Sequence, residues 1–352
     1  MTSIKSKFCF LIILLITGLF LQDAVAIVFH PANEPNLVSW KDRPADAVTG
    51  RWGENASCIV IAPNYVITTR HQGGGISTPV TIGGITYTID KIFIAPDRVN
   101  PNNPDYDQVD LQLVKLESAN LTEYAEIYTQ TDEREHSGYA VITGFGVGRD
   151  AELKNDGITY GYSWQDDSVK NFHLRNATNN IYKALNNSVF GPDYNIDVLL
   201  SQFDEPGSTI YEGAMAEFDS GGGWFIKSSG KWKVAALNFG TEHAGIRQSW
   251  FRRPDRPEEL SPELIIGVRL SSYADWILNT IENVCMAYPD EDFNGNCVID
   301  SGDLAIFAEQ WLKTGCDESN NFCQHADLTR DGLVNLWDFQ ILASVWMENY
   351  QP

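Results

Sequence analysis

The sequence predicts an all-β body that ends in one helix and is followed by a small helical module. Three observations carry this. Across residues 27–272, short apolar runs are broken at close spacing by Gly, Asn, Asp and Pro, the pattern of strands joined by turns. Helical periodicity first appears at residues 272–283. Beyond it, an acidic stretch carries one twelve-residue pattern twice, each copy followed by an apolar helical run. Many short strands ending in a single helix fit a closed-barrel all-β domain.

In chain order, Lys5 and Lys7 precede an apolar run at 8–21 that is short for a bilayer span, and Ala24-Val25-Ala26 forms a small-x-small cleavage site. Residues 1–26 therefore read as a secretory signal, leaving 326 residues, enough for a two-lobed domain and a small module. No later run reaches transmembrane length, so the mature chain is expected to be exported, soluble and without a membrane span. The segments 58–61, 80–89, 109–116, 139–142 and 232–238 carry β-branched or alternating apolar residues bounded by turn formers and are expected strands. Residues 147–213 are expected to be mainly divergent loops.

The formal net charge is -22 with 43% hydrophobic residues, a globular composition whose acidity excludes nucleic acid and anionic membranes as natural partners. Residues 285–352 hold 12 acidic and 2 basic residues, which suggests bound cations. Of six cysteines, Cys9 leaves with the signal and Cys58 stands alone as an apolar filler. Cys285, Cys297, Cys316 and Cys323 allow three pairings; Cys316 with Cys323 closes the shortest loop and is the first choice.

Three segments carry candidate chemistry. Thr68-Thr69-Arg70-His71 follows the apolar run Ile61-Ala62-Pro63-Asn64-Tyr65-Val66-Ile67, Asp110 opens Asp110-Leu111-Gln112-Leu113-Val114-Lys115-Leu116, and Asp219-Ser220 precedes three glycines. A serine needs a base to remove its proton, a group that holds the base in one tautomer, and fixed N–H donors for the developing oxyanion. In the order His, Asp, Ser these segments resemble the trypsin-like serine proteases. Thr143-Gly144-Phe145-Gly146 resembles the family's Gly-aromatic-Gly turn, and residues 268–281 resemble its last strand and C-terminal helix.

The resemblance implies a double β-barrel over 27–284, with Ser220 as nucleophile, His71 as base and Asp110 as orienter, and the N–H groups of Ser220 and Phe218 as the oxyanion hole. It also implies an activation pair, in which a free Ile27-Val28 terminus inserts and its α-amino group meets Asp219. Phe218 departs from the family's glycine and is expected to strain or rotate the peptide that donates its N–H. Gln72 stands where the family commonly has cysteine. Ala214, six residues before Ser220, with Gly213 and Met215, implies an uncharged primary pocket, and Asn238-Phe239-Gly240 resembles the segment that pairs with substrate backbone.

In the acidic stretch, Asp292, Asn294, Asn296, Asp300 and Asp303 place side-chain oxygens at loop positions 1, 3, 5, 9 and 12, with the Val298 carbonyl at position 7. Thirty-five residues later, Asp327, Thr329, Asp331, Asn335 and Asp338 take the same places, with Leu333 offering the carbonyl. Such spacing wraps oxygens round one hard cation. The stretch resembles a type I dockerin over 285–352, which implies two calcium ions, a small all-α domain and a cohesin-type scaffold as partner. Cys297 replaces the glycine expected at position 6. The family's recognition pair falls on Ser301-Gly302 and on Leu336-Trp337. Together these readings describe a secreted or surface-docked serine endopeptidase acting on protein or peptide. The alternatives are an inactive protease homologue used for binding, or an esterase with the same triad.

Overall fold

A computed structural model describes residues 27–30, 35–37, 39–98, 107–166, 173–190, 194–243, 245–281, 290–293 and 298–348. The expected signal 1–26, and Cys285, Asn294, Asn296 and Cys297, lie outside the described residues. The body is all-β. A short strand β1 (Val28–Phe29) is followed by seven strands of one sheet: β2 (Thr49–Trp52), β3 (Ala56–Ala62), β4 (Tyr65–Thr68), β5 (Val80–Ile82), β6 (Ile85–Tyr87), β7 (Ile89–Ile94) and β8 (Gln112–Leu116). Their order across the sheet is β6-β5-β2-β3-β4-β8-β7, antiparallel throughout.

After a short helix α1 (Glu133–Ser137), capped by the Asp132 side chain, come β9 (Tyr139–Gly144), β10 (Arg149–Asn155), β11 (Ile158–Trp164), β12 (Arg175–Asn180), β13 (Lys183–Phe190), β14 (Tyr194–Gln202) and β15 (Gly213–Ala214). Then follow β16 (Gly223–Ser228), β17 (Lys231–Thr241), β18 (Gln248–Trp250) and β19 (Leu264–Arg269). A second seven-stranded sheet runs β12-β9-β16-β17-β19-β14-β13, while β10, β11 and β18 form a three-stranded sheet and β1 pairs with β15. A 3-10 turn at Ser271–Tyr273 leads into α2 (Ala274–Thr280), as the periodicity of 272–283 predicts.

Strand alternation divides the interior. On β3, Cys58 and Val60 enter a cluster built from the first sheet alone, with Val66, Val80 and Val114, whereas Ile59 and Ile61 enter a second cluster shared with Val141, Ile196, Val234 and Ile277. Both faces of β3 are therefore buried, which is why Ser57-Cys58-Ile59-Val60-Ile61 reads as a continuous run and not an alternating one. The first sheet thus wraps its own apolar filling as a half-barrel, and a further cluster gathers Ile142, Trp224, Ala236 and Ile265 of the second sheet. Cys58 is buried and unpaired, and burial pushes its thiol up to about 12, so it packs as an apolar filler.

Two expectations are corrected. The run 80–89 is not one strand: Gly83 and Gly84, both at positive φ, turn the chain between β5 and β6. Residues 147–213 are not mainly loops; they hold β10 to β15. β12 reads Arg-Asn-Ala-Thr-Asn-Asn, yet five of its six residues are buried. Asn179 succeeds inside because its amide finds partners: Nδ2 donates to the carbonyls of Gln202 and Gly213 at 2.8 and 3.0 Å.

The C-terminal region is helical, with α3 (Ser301–Gln310), a single left-handed turn labelled α4 (Asn321–Gln324) and α5 (Leu336–Ser344) around Ile299, Phe307, Val334 and Leu342. Cys316 and Cys323 form a disulfide, the pairing of first choice. No helix among the described residues is long and apolar enough to cross a membrane.

One buried acid gives the body a pH signature. Glu212 accepts from Asp204 N at 3.1 Å and Thr209 Oγ1 at 2.7 Å, but burial dominates and pushes its carboxyl from near 4.5 up to about 8. The protonated form suits the fold, so its contribution is complete below pH 4.5 and erodes as pH rises toward 8. Glu212→Gln keeps an acceptor for Asp204 and offers Thr209 an amide. It is expected to raise the melting temperature at pH 9 by roughly 4 °C or more while changing it little at pH 4.5, as read by thermal melts of both proteins across that range.

Candidate functional sites

β4 and β8 are antiparallel with Thr68 opposite Gln112, so the chain leaving β4 and the chain entering β8 lie side by side at the same end. His71 stands three residues past Thr68, in the 3-10 turn Arg70–Gln72, and Asp110 stands two residues before Gln112. This register brings them together. Asp110 is wholly buried; its Oδ1 accepts the His71 backbone N–H at 2.7 Å and its Oδ2 lies 2.6 Å from His71 Nδ1. Gln112 Nε2 donates to the Thr69 carbonyl at 3.2 Å and fixes the turn. With Asp110 Oδ2 as acceptor, the imidazole proton is assigned to Nδ1 and the Nε2 lone pair faces Ser220. Ser220 Oγ lies 3.0 Å from Nε2, and the Gln72 side-chain amide also reaches Nε2, at 2.8 Å.

Ser220 is held by a tight loop between Ala216 and Gly223. Its carbonyl accepts Ser57 N at 2.9 Å, Gly221 N donates to the Asn238 carbonyl at 3.0 Å, and Gly222 N to the Asp219 carbonyl at 2.9 Å. Gly221 sits at φ 81°, and a Cβ there would collide with the Ser57 carbonyl and Thr68 Oγ1. At Gly222 a Cβ would strike the Thr143 carbonyl. The glycines after the serine therefore let this loop lie directly on β3, β4 and β9.

The side chain of Asp219 is buried behind the serine. It accepts Ala216 N and Gly146 N at 2.8 Å each and Ile27 N at 3.3 Å. Burial raises its carboxyl to about 6 against the pull of these N–H groups and of Arg175. Ile27 itself is fully buried, beside Gly213, Ala214 and β1. Phe218 has φ 72°, a left-handed conformation that costs a non-glycine residue about 1–2 kcal/mol, and its ring packs on the second sheet's cluster. The Glu217 carbonyl accepts Val147 N at 2.8 Å. Because the peptide is planar and trans, the Phe218 N–H points away from Val147. Phe218 thus carries the backbone strain expected of a side chain here, while the Glu217 carbonyl ties the peptide to Val147.

Beside Ser220 lies a cavity of about 280 Å³ lined by Trp164, Met215, Ala216, Glu217, Gly240 and Arg247, among others. The expected uncharged pocket is corrected on two counts. Ala214 does not line this cavity but pairs with Val28 in the core, and an Arg247–Glu217 ion pair borders it.

The second calcium-type loop is fully described. Asp327 and Asp338, both buried, turn their carboxylates inward: Asp327 accepts Asp331 N and Gly332 N at 3.1 and 2.9 Å, and Asp338 Oδ1 accepts Thr329 N at 2.8 Å. Gly332, at position 6, takes φ 90° as the sharp turn requires. The loop and its helix share residues. Asn335 caps α5 by accepting Trp337 N at 2.8 Å, while Asp338 Oδ2 accepts Asn335 N at 2.8 Å. The first loop repeats this with Asp300 and Asp303, which cap α3 at 2.7 and 2.9 Å. Of its expected ligands, Asp292, Val298, Asp300 and Asp303 are described. An all-oxygen donor set with buried carboxylates suits a hard cation, and Asp327, Thr329, Asp331, Leu333, Asn335 and Asp338 would hold it.

The position-8 residues tie the two halves together. Val334 exchanges backbone hydrogen bonds with the segment after α3, donating to the Lys313 carbonyl and accepting Leu312 N, both at 3.0 Å. Ile299 does the same with the segment after α5, donating to Glu348 at 3.0 Å and accepting Met347 N at 2.8 Å. Sequence reading missed these links because the partners lie beyond the helices. Leu336 and Trp337 stand exposed at the start of α5.

An all-β body with a helical calcium-type module is the class this architecture defines. Residues 290–344 match the dockerin type I domain family. Type I dockerin domains bind calcium and dock to cohesin scaffolds, outside the cell or at its surface. A search among curated proteins finds no match to the chain.

Asp338 serves both loop and cap, so Asp338→Ala is expected to weaken calcium binding on the order of 10–100-fold and to lower the melting temperature of the helical region in calcium buffer. Calorimetric calcium titration and thermal melts with and without chelator check both effects.

Proposed function

We propose that the chain is an exported serine endopeptidase of trypsin-like double-barrel fold, carried to a protein scaffold by its dockerin module with two bound calcium ions. The observation that carries this reading is the continuous hydrogen-bonded line from buried Asp110 through His71 to Ser220. Ser220 Oγ attacks the substrate carbonyl while His71 Nε2 takes its proton, and Asp110 holds Nδ1–H and offsets the imidazolium charge. The tetrahedral oxyanion is held by the N–H groups of Ser220 and Phe218. His71 then returns the proton to the departing amine, leaving an acyl ester on Ser220 that water cleaves by the same steps in reverse.

The activation pair belongs to the same proposal. Removal of residues 1–26 would give Ile27 a free α-ammonium group beside Asp219, where an amide N–H now donates. The charge would hold Asp219 ionised and fix the loop that carries Phe218 and Ser220. A chain starting at Ile27 would then need no separate zymogen cleavage. Acetylation of that terminus is expected to lower kcat/KM for a peptide substrate by tenfold or more; full activity after acetylation would sink the idea.

The second reading, a binding homologue without turnover, is favoured by Gln72 sharing His71 Nε2 and by Phe218 at positive φ. Casein hydrolysis by chain 27–352, with and without calcium, separates the two. Ser220→Ala is expected to lower it by about 10⁴-fold or more. No hydrolysis by the folded wild type, together with no fluorophosphonate label on Ser220, would favour the binding homologue. Turnover of esters but not of peptides would mark an esterase.

A further inference from the structure

The turn before the second calcium-type loop is built against the backbone's preference. Five consecutive residues, Asn321, Phe322, Cys323, Gln324 and His325, stand at positive φ, between 51° and 70°, and none is glycine. In each, Cβ crowds the following carbonyl oxygen, and non-glycine residues visit this region singly rather than in runs. Something must hold them there. Backbone hydrogen bonds help: Phe322 N donates to the Asp317 carbonyl and His325 N to the Asn321 carbonyl, both at 2.8 Å, and Ala326 N to the Cys323 carbonyl at 3.3 Å. The covalent restraint is the Cys316–Cys323 disulfide, whose two residues are both buried.

Each end of that disulfide is tied to the loop. On one side, Cys316 N donates to the carbonyl of Gly332, loop position 6, at 3.2 Å, and Thr314 forms a β-bridge with Leu333, position 7. On the other side, the carbonyl of Phe322, next to Cys323, accepts the N–H of Asp327, position 1, at 3.1 Å. The Arg330 guanidinium, from position 4, stands 4.9 Å from the centre of the Phe322 ring. One sulfur bridge thus joins the two segments that set where Asp327 and Leu333 present their oxygens. The first copy of the repeat lacks this clamp: 35 residues earlier the sequence has Ile281 and Tyr288 in place of the two cysteines.

We propose that the Cys316–Cys323 disulfide is a redox gate on calcium binding by the second loop. Oxidised, it keeps residues 321–325 left-handed and holds the Phe322 carbonyl where Asp327 bonds to it. A small thiol reductant opens the gate. Its thiolate attacks one sulfur, the S–S bond breaks, and a second thiol releases the reductant as its own disulfide. Two electrons and two protons end on Cys316 and Cys323 as thiols. Freed of the cross-link, the run relaxes toward right-handed backbone, Phe322 withdraws from Asp327 and Arg330, and the position-1 carboxylate loses its fixed place. Calcium affinity at the second loop then falls by about 10- to 100-fold. Linkage makes the effect mutual, so a bound ion favours the disulfide by the same factor. Docking that depends on calcium is thereby confined to oxidising surroundings. This rests on the loop binding calcium, as its donor set and family match indicate.

The test uses chain 27–352 with calcium alone as ligand. Calorimetric titration compares the oxidised wild type with Cys316→Ala/Cys323→Ala, whose folding is established by thermal melts. The folded variant is expected to bind calcium about tenfold or more weakly at one site. Equal affinities in the two proteins overturn the inference. A second measurement needs no variant. Wild type is equilibrated in graded mixtures of reduced and oxidised dithiothreitol, with calcium or with chelator, then trapped by alkylation, and the Cys316 and Cys323 thiols are read by peptide mass. Calcium is expected to raise the reduced-to-oxidised ratio needed for half-reduction by the same factor. A midpoint that calcium does not move overturns the inference and leaves calcium binding standing. Oxidised wild type that takes up no calcium overturns both.

Discussion

The buried carboxylate of Asp219 is the constraint on which the serine loop depends. It is a charged group placed where solvation is lost, and it is tolerable there only because N–H donors converge on it from three separate stretches of chain: Ala216 in its own loop, Gly146 after β9, and Ile27 at the head of β1. Each donor therefore fixes a segment relative to the serine. Gly144 and Gly146 are glycine for the same reason, since a Cβ at either would collide with the Asp219 side chain. Remove the carboxylate and three buried N–H groups lose their acceptor together, each at a cost of about 1–3 kcal/mol.

The same economy of residues recurs in the C-terminal module, with a different ligand in view. Asp303 and Asp338 each close a calcium-type loop and each reach back to an N-cap backbone N–H, while Asp300 and Asn335 supply the reciprocal half of the cap. Helix initiation and ion binding thus draw on one set of oxygens. The caps already hold these four side chains in place. In this respect the module and the body share a design: polar side chains placed at the ends of regular elements do the organising, and apolar periodicity supplies the filling.

Much of this was legible in the sequence where function and local structure coincide. His71 and Asp110 stand just outside β4 and β8, so strand pattern and chemistry pointed to the same positions. The ligands of each calcium-type loop fall within twelve residues, a range over which spacing alone is informative. Legibility failed where long-range partners decide the outcome. The asparagines of β12 have poor strand propensity, and Asn179 is rescued by carbonyls on other strands. Ala214 sits at the expected spacing from Ser220, yet its pairing with Val28 carries it into the core. The ring contacts of Phe190 and Tyr194 with Phe239 depend on which hairpin joins β19 in the second sheet, and no local pattern encodes that.

The crossed backbone links of Ile299 and Val334 give the module a property that neither half possesses. The segment after α3 completes the second loop and the segment after α5 completes the first, so the two copies of the 35-residue unit interlock as a closed circuit. A half-module would carry a loop whose backing strand is missing and a helix whose trailing segment has nothing to bond. The repeat is therefore a duplication in sequence but a single folding unit in energy, and ordering of one loop is transmitted to the other through the backbone itself.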